Sequence, residues 1–385
     1  MVMQLLKEIA IIGAGQGAPQ GDKNYCDNGT PFVKAGNLLE LIEDNSIDNI
    51  QKVSDNVAKS HKLKLYPKGT VLFAKSGMSC LKGYVYVLPC DAYVVSHLAC
   101  ITPKMDISQY LKYYFDYNKP NKLVKDPAYP SISLSDIGDL KINLKDENER
   151  NSIVSSLSKI EEIFSLRKRQ LQQLDELVKA RFVELFGDPA TNPMGWTETT
   201  VGEECYYIKD GPHKSLPDVG KGNGYPFISV RNIVNGYIDF STAKYISEQD
   251  YLDSIKKCHP QKGDMLYSKG GTTGIAKLID VDIEFANWVH VAVLKFRDSL
   301  NGVFFEKMLN SDYCYDQSQK LTKGVANRDL VLSAMAKIRI YKPPIELQEQ
   351  FATFVEQTDK SKFEVQQSLE KLEILKKSLM QQYFG

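Results

Sequence analysis

Two textures alternate along this chain of 385 residues. From residue 1 to about 145, and again from about 190 to 343, short apolar or alternating runs such as Thr70-Val-Leu-Phe-Ala74 and Val85-Tyr-Val-Leu88 are broken every few residues by Gly, Pro and Asn. That pattern predicts mixed domains built on many short strands. Elsewhere the period changes. Ile153, Leu157, Ile160, Phe164, Leu171, Leu174, Val178 and Leu185 recur at three and four residues or small multiples of them, with no Pro or Gly before Gly187. Phe351, Val355, Val365, Leu369, Leu372, Leu379 and Tyr383 do the same up to Gly385. Each stretch predicts an amphipathic helix of about 38 residues, roughly 57 Å long. A helix of that length is stabilised mainly by whatever covers its apolar stripe, either its neighbouring domain or the other helix.

The chain is also written twice. Pro31-Phe-Val-Lys-Ala-Gly-Asn-Leu38 meets Pro226-Phe-Ile-Ser-Val-Arg-Asn-Ile233, 195 residues on. Gly69-Thr-Val-Leu-Phe-Ala-Lys-Ser-Gly77 meets Gly263-Asp-Met-Leu-Tyr-Ser-Lys-Gly-Gly271 after 194, and His97-Leu-Ala-Cys-Ile101 meets His290-Val-Ala-Val-Leu294 after 193. In the helical stretches Leu171, Leu174, Leu177 and Gly187 meet Leu369, Leu372, Leu375 and Gly385 after 198. So small a drift is what loop insertions produce, and the unit is about 190 residues used twice. Two such repeats related by a pseudo-two-fold bring equivalent stripes together as an antiparallel coiled coil, which favours pairing of the two helices.

Composition narrows the function. The 48 basic and 48 acidic residues cancel, which excludes a polycation that holds phosphates by bulk charge but leaves room for a local basic face. Apolar residues at 43% and aromatics at 10% are ordinary for a folded chain, so wholesale disorder is not expected. No apolar run reaches the roughly eighteen residues that span a bilayer. Lys7 and Glu8 interrupt the first apolar stretch and spoil it as a signal peptide. The expected location is cytoplasmic. Cysteines 26, 80, 90, 100, 205, 258 and 314 are scattered without a C-x-x-C pair, so reduced, mostly buried thiols are expected rather than a disulfide framework or a zinc site.

Taken together, the repeated domain-plus-helix plan, the segment Gly263–Gly271, the helix start Lys337-Ile-Arg-Ile-Tyr-Lys-Pro-Pro-Ile-Glu-Leu-Gln-Glu-Gln350 and the helix exit Leu185-Phe-Gly-Asp-Pro189 followed by Asn192-Pro-Met-Gly-Trp196 resemble the specificity (S) subunit of type I restriction-modification systems. The resemblance spans essentially the whole chain. It departs in the first copy, where Lys141-Ile-Asn-Leu-Lys-Asp-Glu-Asn-Glu-Arg150 lacks the double proline and implies a less rigid junction. The fold class it implies is α+β: two mixed α/β target recognition domains, residues 1–147 and 188–343, alternating with long spacer helices, 148–187 and 344–385. The implied partners are double-stranded DNA, two adenine-N6 methyltransferase (M) subunits and ATP-dependent restriction/translocase (R) subunits, with no membrane. Catalysis, and with it S-adenosylmethionine, ATP and Mg, would belong to those partner chains and no cofactor to this one. A type II system with a fused methyltransferase-nuclease partner, and a coiled-coil scaffold that never meets DNA, remain as alternatives.

Reading DNA takes phosphate contacts for register and a few polar side chains at base edges. Lys34 and Asn37 correspond to Ser229 and Asn232, with Arg231 adjacent; Arg suits guanine and Asn suits adenine, although Asn at such a junction is also a turn former. Lys75 and Ser76, matched by Ser268, Lys269, Thr272 and Thr273, follow an apolar strand and suit a phosphate backbone or an ordinary hairpin. Lys125 with Tyr129, matched by Lys323, Asn327 and Arg328, make the third set. Three other motifs point to the bland alternative. Ile9–Ala18 imitates a dinucleotide loop but lacks the helix such a loop needs and reads as a turn at the domain edge. Asp126-Pro-Ala-Tyr129 imitates a methyltransferase motif without its second proline. Asp280, Asp282 and Glu284 near Lys277 read as the acidic solvent face of a strand rather than a nuclease centre. The tyrosines at 110, 113, 114 and 117 read as packing residues.

Overall fold

The computed structural model describes residues 3–44, 46–324 and 328–385. They fall into two compact units, Met1–Lys168 with Gln367–Gly385, and Arg169–Gln366. The first copy of the repeat contributes strands β1 (Ala10–Ala14), β2 (Thr30–Val33), β3 (Val71–Ala74), β4 (Val85–Val87), β5 (Ala92–Val94) and β6 (Leu98–Pro103), helix α1 (Ser108–Tyr117) and the long helix α2 (Glu147–Phe186). The second contributes β7 (Cys205–Asp210), β8 (Tyr225–Ile228), β9 (Met265–Ser268), β10 (Ala276–Leu278), β11 (Ala286–Asn287), β12 (Val291–Phe296), α3 (Gly302–Leu309) and the long helix α4 (Ile345–Phe384).

In the first unit an antiparallel sheet runs in the order β1-β6-β3-β4, and β2 pairs in parallel with β5 in a second sheet. The second unit repeats both: β7-β12-β9-β10, and β8 parallel to β11. The registers match as well. Val71 faces Ile101 and Ala74 faces Leu98, while Met265 faces Leu294 and Ser268 faces Val291. Strands β3 and β9 are buried along their whole length. That explains why Val-Leu-Phe-Ala and Met-Leu-Tyr-Ser read as continuous rather than alternating runs.

The glycine cluster near the amino terminus is a strand end, not the expected turn. Gly13 lies in β1, and a Cβ at Gly15 would stand 1.9 Å from the Val94 carbonyl oxygen. Gly211 makes the same approach to Asn287, at 1.7 Å. Only glycine lets these backbones come so close. Asp280, Asp282 and Glu284 are exposed as expected, but they lie in the loop between β10 and β11 rather than on a strand. Tyr110 and Tyr113 are core residues of the first unit, and Tyr114 and Tyr117 pack on that core at its edge. The seven cysteines are free thiols, and Cys80, Cys100, Cys205, Cys258 and Cys314 are buried. Among the described residues no helix is long and apolar enough to cross a membrane.

The long helices have 40 residues each. In the first unit Ile153 and Leu157 of α2 and Met380 of α4 belong to the same core as Phe73 and Phe115. Lys376 reaches Glu161 at 2.7 Å. In the second unit Phe182 and Phe186 of α2 pack on Phe351 of α4 and Phe304 of α3, with ring centroids 4.7–5.8 Å apart, and Lys362 meets Asp175 at 2.6 Å. Within each unit the helices therefore pair antiparallel, and the same stripe also covers the adjoining domain. Pairing of this kind is why a compact unit holds a domain with half of each helix, rather than a domain with one whole helix.

Each long helix leaves its domain by a different device. In the first turn of α4, the buried Gln348 side chain donates to the Pro343 and Ser299 carbonyls at 2.8 and 3.2 Å and accepts from the Asn301 N–H at 2.8 Å. The Pro-Pro-x-x-x-Gln sequence is thus a clamp. Before α2, which lacks the prolines, Asp146 accepts the Glu149 N–H at 2.9 Å as a helix cap, and Arg150 donates to the Lys145 carbonyl at 2.6 Å.

Candidate nucleic-acid interface

Three loops meet at one end of each unit, fastened by the same backbone hydrogen bonds. In the first unit Lys75 N–H donates to His97 O at 2.9 Å, Ile132 N–H to Lys75 O at 2.8 Å and Gly77 N–H to Pro130 O at 3.0 Å. In the second, Lys269 N–H donates to His290 O at 2.8 Å, Leu330 N–H to Lys269 O at 2.7 Å and Gly271 N–H to Arg328 O at 3.1 Å. The turn that follows β2 or β8 joins the same end, since Val95 N–H donates to Val33 O at 2.9 Å and Trp288 N–H to Ile228 O at 2.8 Å. Gly77 and Gly271, at φ of +75° and +69°, make the bend that lets the loop after β3 or β9 turn outward. The three sets of candidates read from the sequence thus converge in each copy.

Within that frame the side chains divide into two groups. Asn37 and Asn232 are caps of a short turn: Lys34 N–H donates to Asn37 Oδ1 and Ser229 N–H to Asn232 Oδ1, both at 2.9 Å. Asn232 is fully buried and also donates to Asp239 O and Thr242 Oγ1. Asp239 in turn accepts from the Ser241 and Thr242 hydroxyls, which hold its carboxyl below the usual carboxylate range. Ser268 is buried with its hydroxyl accepting the Ile275 N–H at 2.8 Å. Thr273 is buried against Thr322 at 3.0 Å. Lys269, 5% exposed, lies 2.9 Å from Asp329 and 3.5 Å from Asp210. For these four, Asn232, Ser268, Lys269 and Thr273, the expectation of a direct contact is revised. Their polar atoms are spent inside the chain, where they shape the loops.

The rest are exposed or half-buried. Lys34 lies over the Tyr25 ring at 4.5 Å. Arg231 is exposed and donates to the Thr242 carbonyl at 2.9 Å, while the half-buried Ser229 spends its hydroxyl inside the chain, donating to Asn232 Oδ1 at 2.8 Å. Ser76 shares a hydrogen bond of 2.8 Å with His97 Nδ1. Thr272, Lys323, Arg328, Lys125 and Tyr129 are exposed. Arg328 is steadied by Gln319, and Lys125 by Asp136 at 2.9 Å, an ion pair that lowers the Asp136 carboxyl. Asn327 lies outside the described residues. His97 and His290, at the centre of each frame, were not among the residues singled out; their recurrence 193 residues apart was the signal that marked them.

Exposed cations and hydroxyls around a rigid backbone frame suit a phosphate backbone, with a few tips free to meet base edges. The comparisons agree with that chemistry. The profile of the type I restriction modification DNA specificity domain matches residues 2–176 and again 193–375, one match per copy of the repeat. The MjaIX specificity subunit of a type I restriction enzyme from Methanocaldococcus jannaschii is 20% identical over 316 residues, covering 75% of this chain and 71% of that protein. The MjaVIII specificity subunit from the same organism is 21% identical over 272 residues, 66% of this chain and 64% of that protein. Two solved structures share the fold over the full length of this chain, each with a TM-score of 0.59: the S subunit of a type I restriction-modification system from M. genitalium, 14% identical with 96% of it covered, and a chain solved to explain complex assembly and conformational transition of the type I R-M system, 18% identical with 97% covered. On these matches the chain belongs to the type I restriction modification DNA specificity domain family, with two copies of the domain in tandem.

Proposed function

We propose that this chain is the DNA sequence-recognition subunit of a type I restriction-modification complex and that it reads a bipartite, asymmetric target. The observation that carries this reading is one loop frame used twice with different tips. The same hydrogen bonds recur, but Ser76 stands where the second unit has Gly270, Met78 where it has Thr272, and Pro130 where it has Arg328. Equal frames set equal registers on the phosphate backbone, and unequal tips choose different bases. Two half-sites that differ, separated by bases neither unit reads, follow from that arrangement.

The long helices offer a second repeated feature. In the first unit a groove of about 540 Å³ runs between β4, α1 and α2, lined by Val85, Lys112, Ile160 and Phe164. In the second unit a groove of about 690 Å³ runs between β10, α3 and α4, lined by Leu278, Glu306, Val355 and Phe363. Equivalent grooves with apolar floors and charged rims suit two copies of one partner, which supports two methyltransferase subunits docking there, with translocase-endonuclease subunits joining the restriction complex. The methyl donor, ATP and Mg are assigned to those partners, and this chain contributes position alone. Purified by itself it transfers no methyl group and cuts no DNA; methyl transfer appears when a methyltransferase partner is added. Activity of the isolated chain would overturn this assignment. A captured partner carrying methyltransferase and nuclease in one polypeptide would place the chain in a type II system, and a complex with no salt-dependent DNA binding would leave only a scaffold.

A further inference from the structure

We propose that Tyr129, with Met78 beside it, is an apolar wedge that enters the base stack of the half-site read by the first unit. The inference rests on the reading above, in which this face meets duplex DNA. Among the described residues these are the two most exposed large apolar side chains, Tyr129 at 81% and Met78 at 69%. They sit on two different loops joined by backbone hydrogen bonds, among them Gly77 N–H to Pro130 O at 3.0 Å. Each flanks that bond. Water-exposed apolar groups gathered at one loop tip gain by entering an apolar environment.

The tip is also stiff. Pro127 and Pro130 bracket Tyr129, and a residue before proline is held to extended backbone. Ala128 N–H donates to Asp126 Oδ1 at 2.9 Å, closing the turn on one side. Ser131 bridges Ser76 on the other, and Ile132 N–H donates to Lys75 O. A backbone held in this way has little freedom left to lose on binding. Lys75, Lys122 and Lys125 lie on the same two loops. A rigid apolar tip flanked by cations fits a strand of phosphates on either side and a base step in the middle, as in proteins that kink DNA by partial intercalation. A protein partner would match the same tip only by placing carboxylates around an apolar pocket, whereas duplex DNA offers phosphates on both sides of every base step. The second unit has Thr272 where the first has Met78, and Arg328 where it has Pro130 beside Tyr129, so it reads by hydrogen bonds where the first reads by deformation. The preferred step is then a flexible pyrimidine–purine step, whose sequence is chosen by how easily it unstacks.

The test uses the chain assembled with its methyltransferase partner and a duplex carrying the target found from host methylation. 2-Aminopurine is placed in turn at each step of the first half-site, away from the methylated adenine. Binding should raise its fluorescence at one step. The double variant Y129A/M78A should abolish that rise and weaken binding about 10- to 100-fold, while Y129F, which keeps the ring, should preserve both. Specific binding by the unaltered complex with no rise at any step overturns the wedge and leaves the recognition reading standing. If Y129F loses as much as the double variant, the hydroxyl is the contact and there is no wedge. If the double variant binds DNA normally but loses the methyltransferase, the tip is a docking site for that partner. If the unaltered complex shows no specific binding at all, the recognition reading falls and the wedge with it.

Discussion

Lys75 and Lys269 head equivalent loops, but Lys269 lies between Asp210 and Asp329 while Lys75 is half-buried and forms no ion pair among the described residues. Replacing Lys269 by Met strands the nearly buried Asp210 with only Lys257 beside it, at 2.8 Å. We expect a loss of about 1–3 kcal/mol, seen as a lower denaturation midpoint of the second unit. The same change at Lys75 should leave the midpoint alone and instead reduce the slope of log affinity against log salt by about one. An unchanged slope would remove Lys75 from the phosphate contacts. The residue scale was the least legible in the sequence. Lys75 and Lys269 look alike there, because the partner that sets them apart, Asp210, stands where the first copy has Ala14. Asn37 and Asn232 carried both readings, base contact and turn former, and the hydrogen bonds to their own backbone assign them the second role as the chain stands.

Helix positions and strand runs were legible because period alone determines them: the long helices start and stop within a residue of the expected limits. What joins them to the domains was not, since it depends on side chains far apart in sequence. Gln348 links α4 to Pro343, Ser299 and Asn301. Gln348→Ala removes the side-chain partner of one buried and two part-buried backbone groups and should cost about 2–4 kcal/mol, a drop of several degrees in the melting temperature of the second unit. In the first unit Glu161 of α2 binds Lys112 of α1 at 2.9 Å and Lys376 of α4 at 2.7 Å and accepts from the Tyr113 hydroxyl at 3.0 Å. Burial works to raise the Glu161 carboxyl, but Lys112 and Lys376 outweigh it and hold it below its ordinary value. Lys112, disfavoured as a cation by burial, is raised overall by Asp116 and Glu161. A lowered carboxylate adds stability that is full above its unfolded pKa of about 4.3 and is lost as pH falls through the folded value. A raised lysine adds stability that is full below about 10.4 and is lost as pH rises through the folded value. The cluster should therefore stabilise this unit between roughly pH 5 and 10, and Glu161→Gln should flatten the acid side of its stability curve. An acid limb unaltered by that change would mean that the ion pairs contribute nothing.

At the scale of the whole molecule the repeat was plain from sequence, because two copies drifting by only a few residues align themselves. The structure extends it to strand register and to the hydrogen bonds that frame the loops. If the frames are interchangeable, exchanging residues 1–147 for the matching domain of another family member should alter one half of the target and leave the other as it was; a change in both halves would deny that each domain reads alone. The central claim is the bipartite target itself, and the most direct measurement is long-read sequencing of base methylation in DNA from cells that hold this chain and its methyltransferase partner. The account predicts methylated adenines in a single motif of two unlike halves around a fixed stretch of unread bases. A continuous motif, two identical halves or no methylation that depends on this chain would contradict it.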